Sequence, residues 1–204
     1  MVASLAHLLN PPTLRRQDFL GCSGLQFPRG ALTEIYGPAS SGRTSLLFSL
    51  LAEAARTPEE LYVLVDTQDA FDPSSAAAAG VALHRLLWIR CQGNAEHALR
   101  VTDLLVQAGG FGLVALDLAD TPPRTARRIS LTSWYRLRRA VEPTRTLLVV
   151  LGQEPYARQC ASLSLETQRD QIHWSGALLN CVRWRIAHKK PLGSACTLSF
   201  LPSH

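Results

Sequence analysis

The sequence predicts an α/β domain with a mainly parallel, twisted sheet flanked by helices. Short apolar runs alternate with segments of helical periodicity, several of these runs end in an acid or an amide, and the first leads into a glycine-rich loop. Such runs are typical of strands buried on both faces, and strands that alternate with helices form parallel sheets. A chain of 204 residues is long enough for one such domain with a single core.

The predicted elements follow one another in a regular order. "ALTEIY" is expected to form the first strand of the core, and the helical spacing of "TSLLFSLLAEAAR" predicts a helix after the glycine loop. Further buried strands are predicted in "ELYVLVD", "LLWIRC", "FGLVALDLAD" and "RTLLVVLGQ". Helices are predicted in "SSAAAAGVALHR", "AEHALRVTDLLVQAGG" and "PRTARRISLTSWYRLRRAVE".

The remaining segments complete a single domain over residues 1–204. Residues 1–25 are interpreted as a short N-terminal lead-in, and the polar stretch 154–175 as a mobile loop. "ALLNCVRWRIAHKK" and "SACTLSFLP" are expected to form closing strands near the C-terminus, joined by a turn at residues 191–193.

The composition is that of an ordinary soluble protein with a basic surface. The net charge of +5 and the pI of about 9.2 fit contact with nucleic acid, although a basic enzyme would have the same balance. Five cysteines show no metal-binding spacing, and neither a signal peptide nor an apolar run long enough to span a membrane is recognised. A cytoplasmic location is therefore expected.

The stretch "GPASSGRT" at residues 37–44 has the spacing of a phosphate-binding loop. It matches G-x-x-x-x-G-K-[ST] at every fixed position except the lysine, which is Arg43. The two glycines permit a tight turn that aims N–H groups at an anion, and Thr44 is placed to hold Mg²⁺. The predicted nucleotide contacts are Gly37, Pro38, Ala39, Ser40, Ser41, Gly42, Arg43, Thr44 and Ser45. The alternative is a strand-to-helix turn without a ligand.

The segment "TEIYGPASSGRTSL" resembles the Walker A segment of the bacterial RecA recombinases. "VDTQDAFDP", "LVALDLADTP", "LLVVLGQ" and "SGALLNCVRWRIAHKK" resemble later segments of that family, in the same order and over about residues 20–190. The resemblance implies a RecA-like core with ATP and Mg²⁺ as cofactors. It also implies that Asp117 orients Mg²⁺, that Gln153 senses the γ-phosphate, and that Asp72 lies near the adenine.

Three positions depart from the family pattern. Arg43 replaces the lysine, Gln68 stands at the position of the water-activating glutamate, and Ser75 stands where a tyrosine would stack on adenine. A guanidinium still binds phosphate but is larger and planar, and a neutral amide cannot accept a proton. Loss of a general base costs ~10²–10⁴ in rate. Asp66 and Asp69 are the candidate substitutes, although alternation along a strand would turn Asp69 away.

An arginine-rich segment follows "LVALDLADTP", the segment that resembles the family's Walker B strand. Residues 121–158 contain eight arginines and two glutamates. Contact with DNA or with an acidic partner is the functional interpretation, and a solvated helix face is the alternative. The candidate contact residues are Arg124, Arg127, Arg128, Arg136, Arg138, Arg139 and Arg158.

Three functional hypotheses follow from the residues and the resemblance. The "RR…RWR" pattern beside a degenerate ATP site is similar to the ImuA proteins of damage-induced (SOS) mutagenesis. This implies an accessory protein in bacterial DNA repair or translesion synthesis. Its expected partners are single-stranded DNA and a Y-family polymerase homologue or a RecA-type protein. The alternative is an active DNA-dependent ATPase or recombinase that completes its site in an oligomer. A small P-loop phosphotransferase is a third reading, for which neither an acceptor pocket nor a general base is identified.

Overall fold

The computed structural model describes residues 19–57, 60–175, 178–191 and 195–200, with the side chains of 173–175, 178–181 and 198–200 excepted. The strands are β1 (Phe19–Cys22), β2 (Leu25–Pro28), β3 (Ala31–Tyr36), β4 (Leu61–Asp66), β5 (Leu86–Arg90), β6 (Phe111–Asp117), β7 (Leu147–Gly152), β8 (Leu163–Ser175), β9 (Leu178–Lys190) and β10 (Cys196–Phe200). The helices are α1 (Arg43–Ala54), α2 (Pro73–Ala78), α3 (Ala95–Ala108), α4 (Pro123–Ala126) and α5 (Leu131–Val141).

Eight of the strands form one sheet, in the order β10-β9-β8-β3-β7-β6-β4-β5. The pairs from β8 through β3, β7, β6 and β4 to β5 are all parallel, and β9 and β10 continue the sheet in antiparallel fashion. The predicted class, a mainly parallel α/β sheet with closing strands near the C-terminus, is confirmed. Because β3 lies inside the sheet, the segment that follows it begins at the middle of the carboxyl edge.

Helices cover both faces of the sheet. On one face α1 packs on the sheet with Leu46, Leu47 and Leu50, together with the small β1–β2 hairpin. On the other face α3 and α5 pack with Leu99 and Leu137 among the buried residues. Each central strand is therefore buried on both sides, which explains why β4, β6 and β7 appear in the sequence as continuous apolar runs.

The interpretation of residues 154–175 as a loop was wrong for its second half. Residues 163–175 form β8, which pairs with β3 from Thr33↔Leu163 to Tyr36↔Glu166 and with β9 along its length. Only its first residues lie in the buried sheet. The rest pair with β9 alone and are mainly polar, so the apolar run that identified the other strands is missing here.

Two further predictions needed correction. Residues 19–28, partly assigned to the lead-in, form the antiparallel β1–β2 hairpin, whereas residues 1–18 lie outside the described part. The single long arginine-rich helix is two helices, because the chain turns after α4 and Ser130 begins α5 by accepting a hydrogen bond from the Ser133 N–H at 3.2 Å. Residues 192 and 193 of the predicted closing turn also lie outside the described residues.

Candidate nucleotide-binding site

The glycine loop connects β3 to α1 as the motif requires. Gly42 occupies the residue before the helix in a left-handed conformation, with φ 90° and ψ 8°, which glycine adopts without strain. Its carbonyl accepts the first helical hydrogen bond, from the Leu46 N–H at 2.9 Å. The loop thus ends at the N-terminus of a helix of 12 residues, where backbone N–H groups and the helix dipole favour an anion.

The predicted polar residues meet at the same edge of the sheet. Asp66 and Asp117 end the neighbouring strands β4 and β6 and are partners in register. Gln153 directly follows β7, whose last residue pairs with Tyr36 at the start of the loop. The carboxyl ends of adjacent parallel strands form the usual ligand-binding edge of an open α/β sheet. The structure therefore gathers the loop, Asp66, Asp117 and Gln153 along one edge.

Arg43 turns into this edge. The side chain is 6% exposed. Its Nη1 donates to the carbonyl of Gly152 at 2.8 Å and more weakly to the carbonyl of Ala119 at 3.4 Å. Burial lowers the pKa of the guanidinium, while Asp117 and Asp120 act in the opposite direction. Arg43 therefore ties the first turn of α1 to the ends of β6 and β7.

Asp117 ends β6 at this edge, and its role in orienting Mg²⁺ stays a prediction. One carboxylate oxygen accepts a hydrogen bond from the Ala119 N–H at 2.8 Å. Desolvation raises the pKa of Asp117 to about 6, and the neighbouring Asp66 and Asp120 add to the rise while Arg43 opposes it. The guanidinium of Arg43 thus supplies a positive charge near this carboxylate.

Gln153 is held by the same carbonyl that Arg43 uses. Its Nε2 donates to the Ala119 carbonyl at 3.0 Å. The amide is half-buried and faces the segment that follows β6. The side chain is therefore engaged within the protein, and its implied role in sensing the γ-phosphate stays a prediction.

Both acids beside Gln68 already have hydrogen-bond or ion-pair partners within the protein. The carboxylate of Asp66 accepts hydrogen bonds from the Gln68, Ala70 and Phe71 N–H groups and from the Trp88 indole, at 3.0 to 3.2 Å. These hydrogen bonds show that Asp66 stabilises the turn after β4.

Asp69 forms a paired contact with Arg90, both N–O distances being 2.9 Å. Gln68 itself lies toward the loop after β5, since a Cβ atom built on Gly93 would be 3.7 Å from its Oε1. The two acids of the turn after β4 therefore both stabilise the local structure.

Asp72 caps a helix. Its carboxylate accepts hydrogen bonds from the Ser74 and Ser75 N–H groups and from the Ser75 hydroxyl, and these bonds lower its pKa. This is the standard arrangement of an acidic N-cap, here at the start of α2. The position is exposed, so the predicted contact with adenine stays a prediction.

The long β8–β9 ribbon contributes two residues to the loop that sequence reasoning did not assign to the site. The Thr167 hydroxyl lies 2.7 Å from the hydroxyl of Ser41, which is buried, and 3.2 Å from the carbonyl of Tyr36. The ring of Trp184 packs on Gly42. Strand alternation assigns Trp184 to one face of β9, but the sequence does not show which surface it packs on.

The arginine-rich segment is only partly free of internal ion pairs. Arg127 pairs with Glu154, Arg136 with Asp103 at 3.2 Å, and Arg138 with Glu142 at 2.8 Å. The other candidates are exposed and form no ion pair with the described residues; they are Arg124, Arg128, Arg139 and Arg158. The cationic surface is therefore smaller than the arginine count suggests.

A glycine loop of this spacing, between a strand and a helix at the carboxyl edge of a parallel sheet, defines the phosphate-loop class of α/β proteins. Residues 13–126 match the family model of the RecA N-terminal domain. The chain belongs to the RecA family.

Three curated relatives are named Protein RecA. The protein of Methylococcus capsulatus is 43% identical over 98 residues, which is 48% of this chain and 27% of the relative. That of Chlorobium chlorochromatii is 44% identical over 101 residues, 49% of this chain and 28% of the relative. That of Caulobacter vibrioides is 31% identical over 148 residues, 66% of this chain and 40% of the relative. The chain thus covers well under half the length of these relatives.

Two features are absent from the part of the chain that the structure describes. None of the helices there combines the length and apolar character needed to cross a membrane. The same residues contain no group of three or more His, Cys, Asp or Glu side chains arranged to hold a metal ion.

Proposed function

We propose that this chain is a RecA-like accessory protein of bacterial DNA repair, in damage-induced translesion synthesis, that binds nucleotide weakly or without efficient hydrolysis. It acts through DNA and protein contacts in the cytoplasm. The observation that carries the proposal is the side chain of Arg43, which is buried and donates hydrogen bonds to the Gly152 and Ala119 carbonyls.

A lysine at this position of a phosphate loop reaches the β- and γ-phosphates. The Arg43 guanidinium points its Nη1 to backbone carbonyls instead, and withdrawing it would leave a buried charge and two carbonyls to be satisfied in another way. The loop can still offer its backbone N–H groups and Thr44 to a phosphate. The arrangement therefore supports weak binding better than it supports transfer of the γ-phosphate.

The absence of a usable base supports the same conclusion. Gln68 cannot accept a proton, and the hydrogen bonds of Asp66 and the ion pair of Asp69 occupy both neighbouring carboxylates. A positioned base contributes ~10²–10⁴ in rate. Without one, nucleotide bound here would persist as a ligand.

Mg²⁺ would be held, together with the nucleotide, by Thr44 and Asp117, the donor types that Mg²⁺ prefers when phosphates complete its shell. When bound, the ion would neutralise phosphate charge. The Arg43 charge beside Asp117 reduces the need for that ion at the carboxylate, so we propose that nucleotide binding depends only weakly on Mg²⁺.

The contacts with DNA or with a protein partner are assigned to the exposed arginines. Arg124, Arg128, Arg139 and Arg158 are exposed, and no ion pair within the described ranges neutralises them. Unpaired guanidinium groups bind phosphates and carboxylates well. We propose single-stranded DNA and a protein partner, a Y-family polymerase homologue or a RecA-type protein, as the ligands of this surface.

The test measures binding and chemistry in the same samples. Purified protein is titrated with labelled ATP, with and without Mg²⁺ and single-stranded DNA, and phosphate release is followed over the same period. Binding with release close to the buffer background is the expected result. Steady release stimulated by DNA would overturn the proposal and favour the active DNA-dependent ATPase that completes its site in an oligomer.

A control variant distinguishes the effect of Arg43 from that of another arginine near the loop. Arg169→Ala removes an exposed arginine that lines a pocket beside loop residues 40–45 and leaves the Arg43 hydrogen bonds in place. Phosphate release at background in both wild type and this variant, with weaker ATP binding in the variant, would support the assignment. Release that appears only in wild type would place catalysis on Arg169 and contradict the argument from Arg43.

A further inference from the structure

We propose that the β8–β9 ribbon is a built-in cap on the phosphate loop, with Trp184 as the residue that closes it. Nucleotide phosphates then reach the loop only after the Trp184 ring moves away from Gly42. This inference rests on the proposed function, because it concerns the same loop. It adds that the weak binding has a conformational cause, separate from the chemistry of Arg43.

The Trp184 ring lies directly against the second glycine of the loop. A Cβ atom built on Gly42 would be 2.7 Å from both Cγ and Cδ2 of the indole, closer than any real side chain tolerates. Gly42 is the residue at which the loop becomes helix α1. The indole therefore occupies space beside the backbone N–H groups that the motif offers to phosphate.

Thr167 locks the loop from the neighbouring strand. Its hydroxyl lies 2.7 Å from the Ser41 hydroxyl, and a Cβ atom built on Gly37 would lie 2.7 Å from that same Ser41 oxygen. The first and last glycines of the loop are thus packed within the protein. Ser41 is 1% exposed, so its side chain is committed to the ribbon rather than to a ligand.

The space left above the loop is small. A pocket of about 260 Å³ is lined by residues 40–45 of the loop and by Arg169, Ile172, Val182 and Trp184 of the ribbon. Pockets that bury most of a drug-sized ligand have volumes of ~300–1,000 Å³. The ribbon therefore forms one wall of the pocket and limits its size.

The ribbon is built in a way that allows it to move. Beyond Glu166, β8 no longer pairs with β3, and its remaining strand partner is β9. The pairing of β8 with β9 is interrupted between Arg169 and Gln171, directly next to the Arg169↔Trp184 pair. Bulges re-aim side chains near functional sites, and this one lies at the residue that pairs with Trp184, on the part of β9 that also pairs with β10. The segment that carries the cap is thus less firmly held than the central sheet.

The test compares two cap variants with a matched control. Trp184→Ala removes the ring, and Thr167→Val removes the hydroxyl while keeping the branched shape. Gln168→Ala truncates an exposed residue on the opposite face of β8, adjacent to Thr167. ATP is titrated into each folded protein by calorimetry, without Mg²⁺ and again with it.

We expect Trp184→Ala to bind ATP at least tenfold more tightly than wild type, Thr167→Val to show a smaller gain, and Gln168→Ala to match wild type within twofold. Unchanged or weaker ATP binding by Trp184→Ala would overturn the cap, since the indole would then be neutral or part of the binding surface. Equal gains in all three variants would overturn it as well, because the effect would reflect general loosening of the ribbon.

Hydrogen exchange keeps the inference testable if Trp184→Ala does not fold. Trp184→Phe retains an aromatic ring with less area, and the amides of residues 42–45 should exchange at least threefold faster than in wild type. Unchanged exchange would overturn the cap.

Phosphate release distinguishes the cap from the proposed function. Tight ATP binding by Trp184→Ala without phosphate release supports both proposals. Tight binding with phosphate release supports the cap and overturns the non-hydrolytic function.

Discussion

Arg43 and Gln153 donate hydrogen bonds to the same acceptor, the carbonyl oxygen of Ala119, at 3.4 and 3.0 Å. One residue comes from the phosphate loop and the other from the end of β7. The segment after β6 therefore receives both side chains. This shared acceptor links the phosphate loop to Gln153, the proposed sensor of the γ-phosphate.

The shared carbonyl predicts non-additive stability. Arg43→Met and Gln153→Ala each leave Ala119 with one donor, whereas the double variant leaves this buried carbonyl with neither. An orphaned buried acceptor costs about 1–3 kcal/mol, so the double variant should lose at least about 1 kcal/mol more than the sum of the single losses. Urea unfolding of the four proteins measures this coupling.

The control combines Arg43→Met with Gln159→Ala, an exposed position. Those two changes should add within about 0.5 kcal/mol. Equal coupling in both pairs would mean that the Ala119 carbonyl is not the cause.

Restoring one catalytic position should not restore hydrolysis. Arg43→Lys returns the compact cation and Gln68→Glu returns a general base, and each alone leaves the other defect in place. The double variant should release phosphate from ATP about 10²-fold faster than wild type or either single variant. Steady-state phosphate assays with single-stranded DNA test this.

Gln159→Glu introduces the same charge at an exposed position away from the loop and should leave the rate unchanged. If Arg43→Lys alone raises the rate as far as the double variant does, then Gln68 is not the missing base.

The ionisation of Glu34 should make stability depend on pH. This carboxyl is fully buried in β3, accepts a hydrogen bond from the Ala157 N–H at 2.6 Å, and has one oxygen without a partner among the described residues. Burial raises its pKa to about 7, and the N–H groups of residues 156–158 and the charge of Arg158 oppose the rise. The folded protein then binds more protons than the unfolded chain between about pH 4.5 and 7, so stability falls as the pH rises through that window.

Glu34→Gln removes this dependence. Relative to the variant, wild type should lose on the order of 2–3 kcal/mol of unfolding free energy between pH 5 and pH 8. Urea unfolding at four pH values measures the difference, in which the contribution of Asp117, of the same sign, cancels. Glu142→Gln, at an exposed site, is the control, and parallel curves for wild type and Glu34→Gln would contradict the prediction.

The affinity for single-stranded DNA should depend on the arginines without an ion pair in the described residues and not on the paired ones. Replacing Arg124, Arg128 and Arg139 by alanine should weaken binding about tenfold or more and reduce the salt dependence, because each lost phosphate contact lowers the slope of log K by ~0.7 on single strands. Replacing Arg136 and Arg138, which pair with acids of the chain, should have little effect. Anisotropy titrations at several salt concentrations test both, and equal losses in the two variants would contradict the division.

The sequence predicted well those elements that a local pattern of apolar residues or glycines identifies. The strands β3, β4, β6 and β7 are apolar runs, and the loop between β3 and α1 has a fixed glycine spacing, so their order and their shared edge could be derived. The strand β8 was missed because its outer half pairs only with β9 and carries polar residues. A local pattern cannot reveal a strand whose stability comes from one distant partner.

The contacts of the site itself could not be derived. Arg43 reaches Ala119 and Gly152, which are 76 and 109 residues away in the chain. Trp184 meets Gly42 from the far end of the sheet. Both contacts depend on the strand order β9-β8-β3-β7, which brings these segments together and which the sequence pattern leaves open.

Gly42 would be required by this fold even if the protein never met a nucleotide. Its left-handed backbone and the indole that rests on it each exclude a larger residue. Mutational drift could therefore abolish phosphate binding and leave the spacing of the glycines untouched. In this chain the glycine spacing reflects the packing of the ribbon as much as the binding of a ligand. A sequence search that relies on that spacing would therefore find loops that bind phosphate and loops that no longer do.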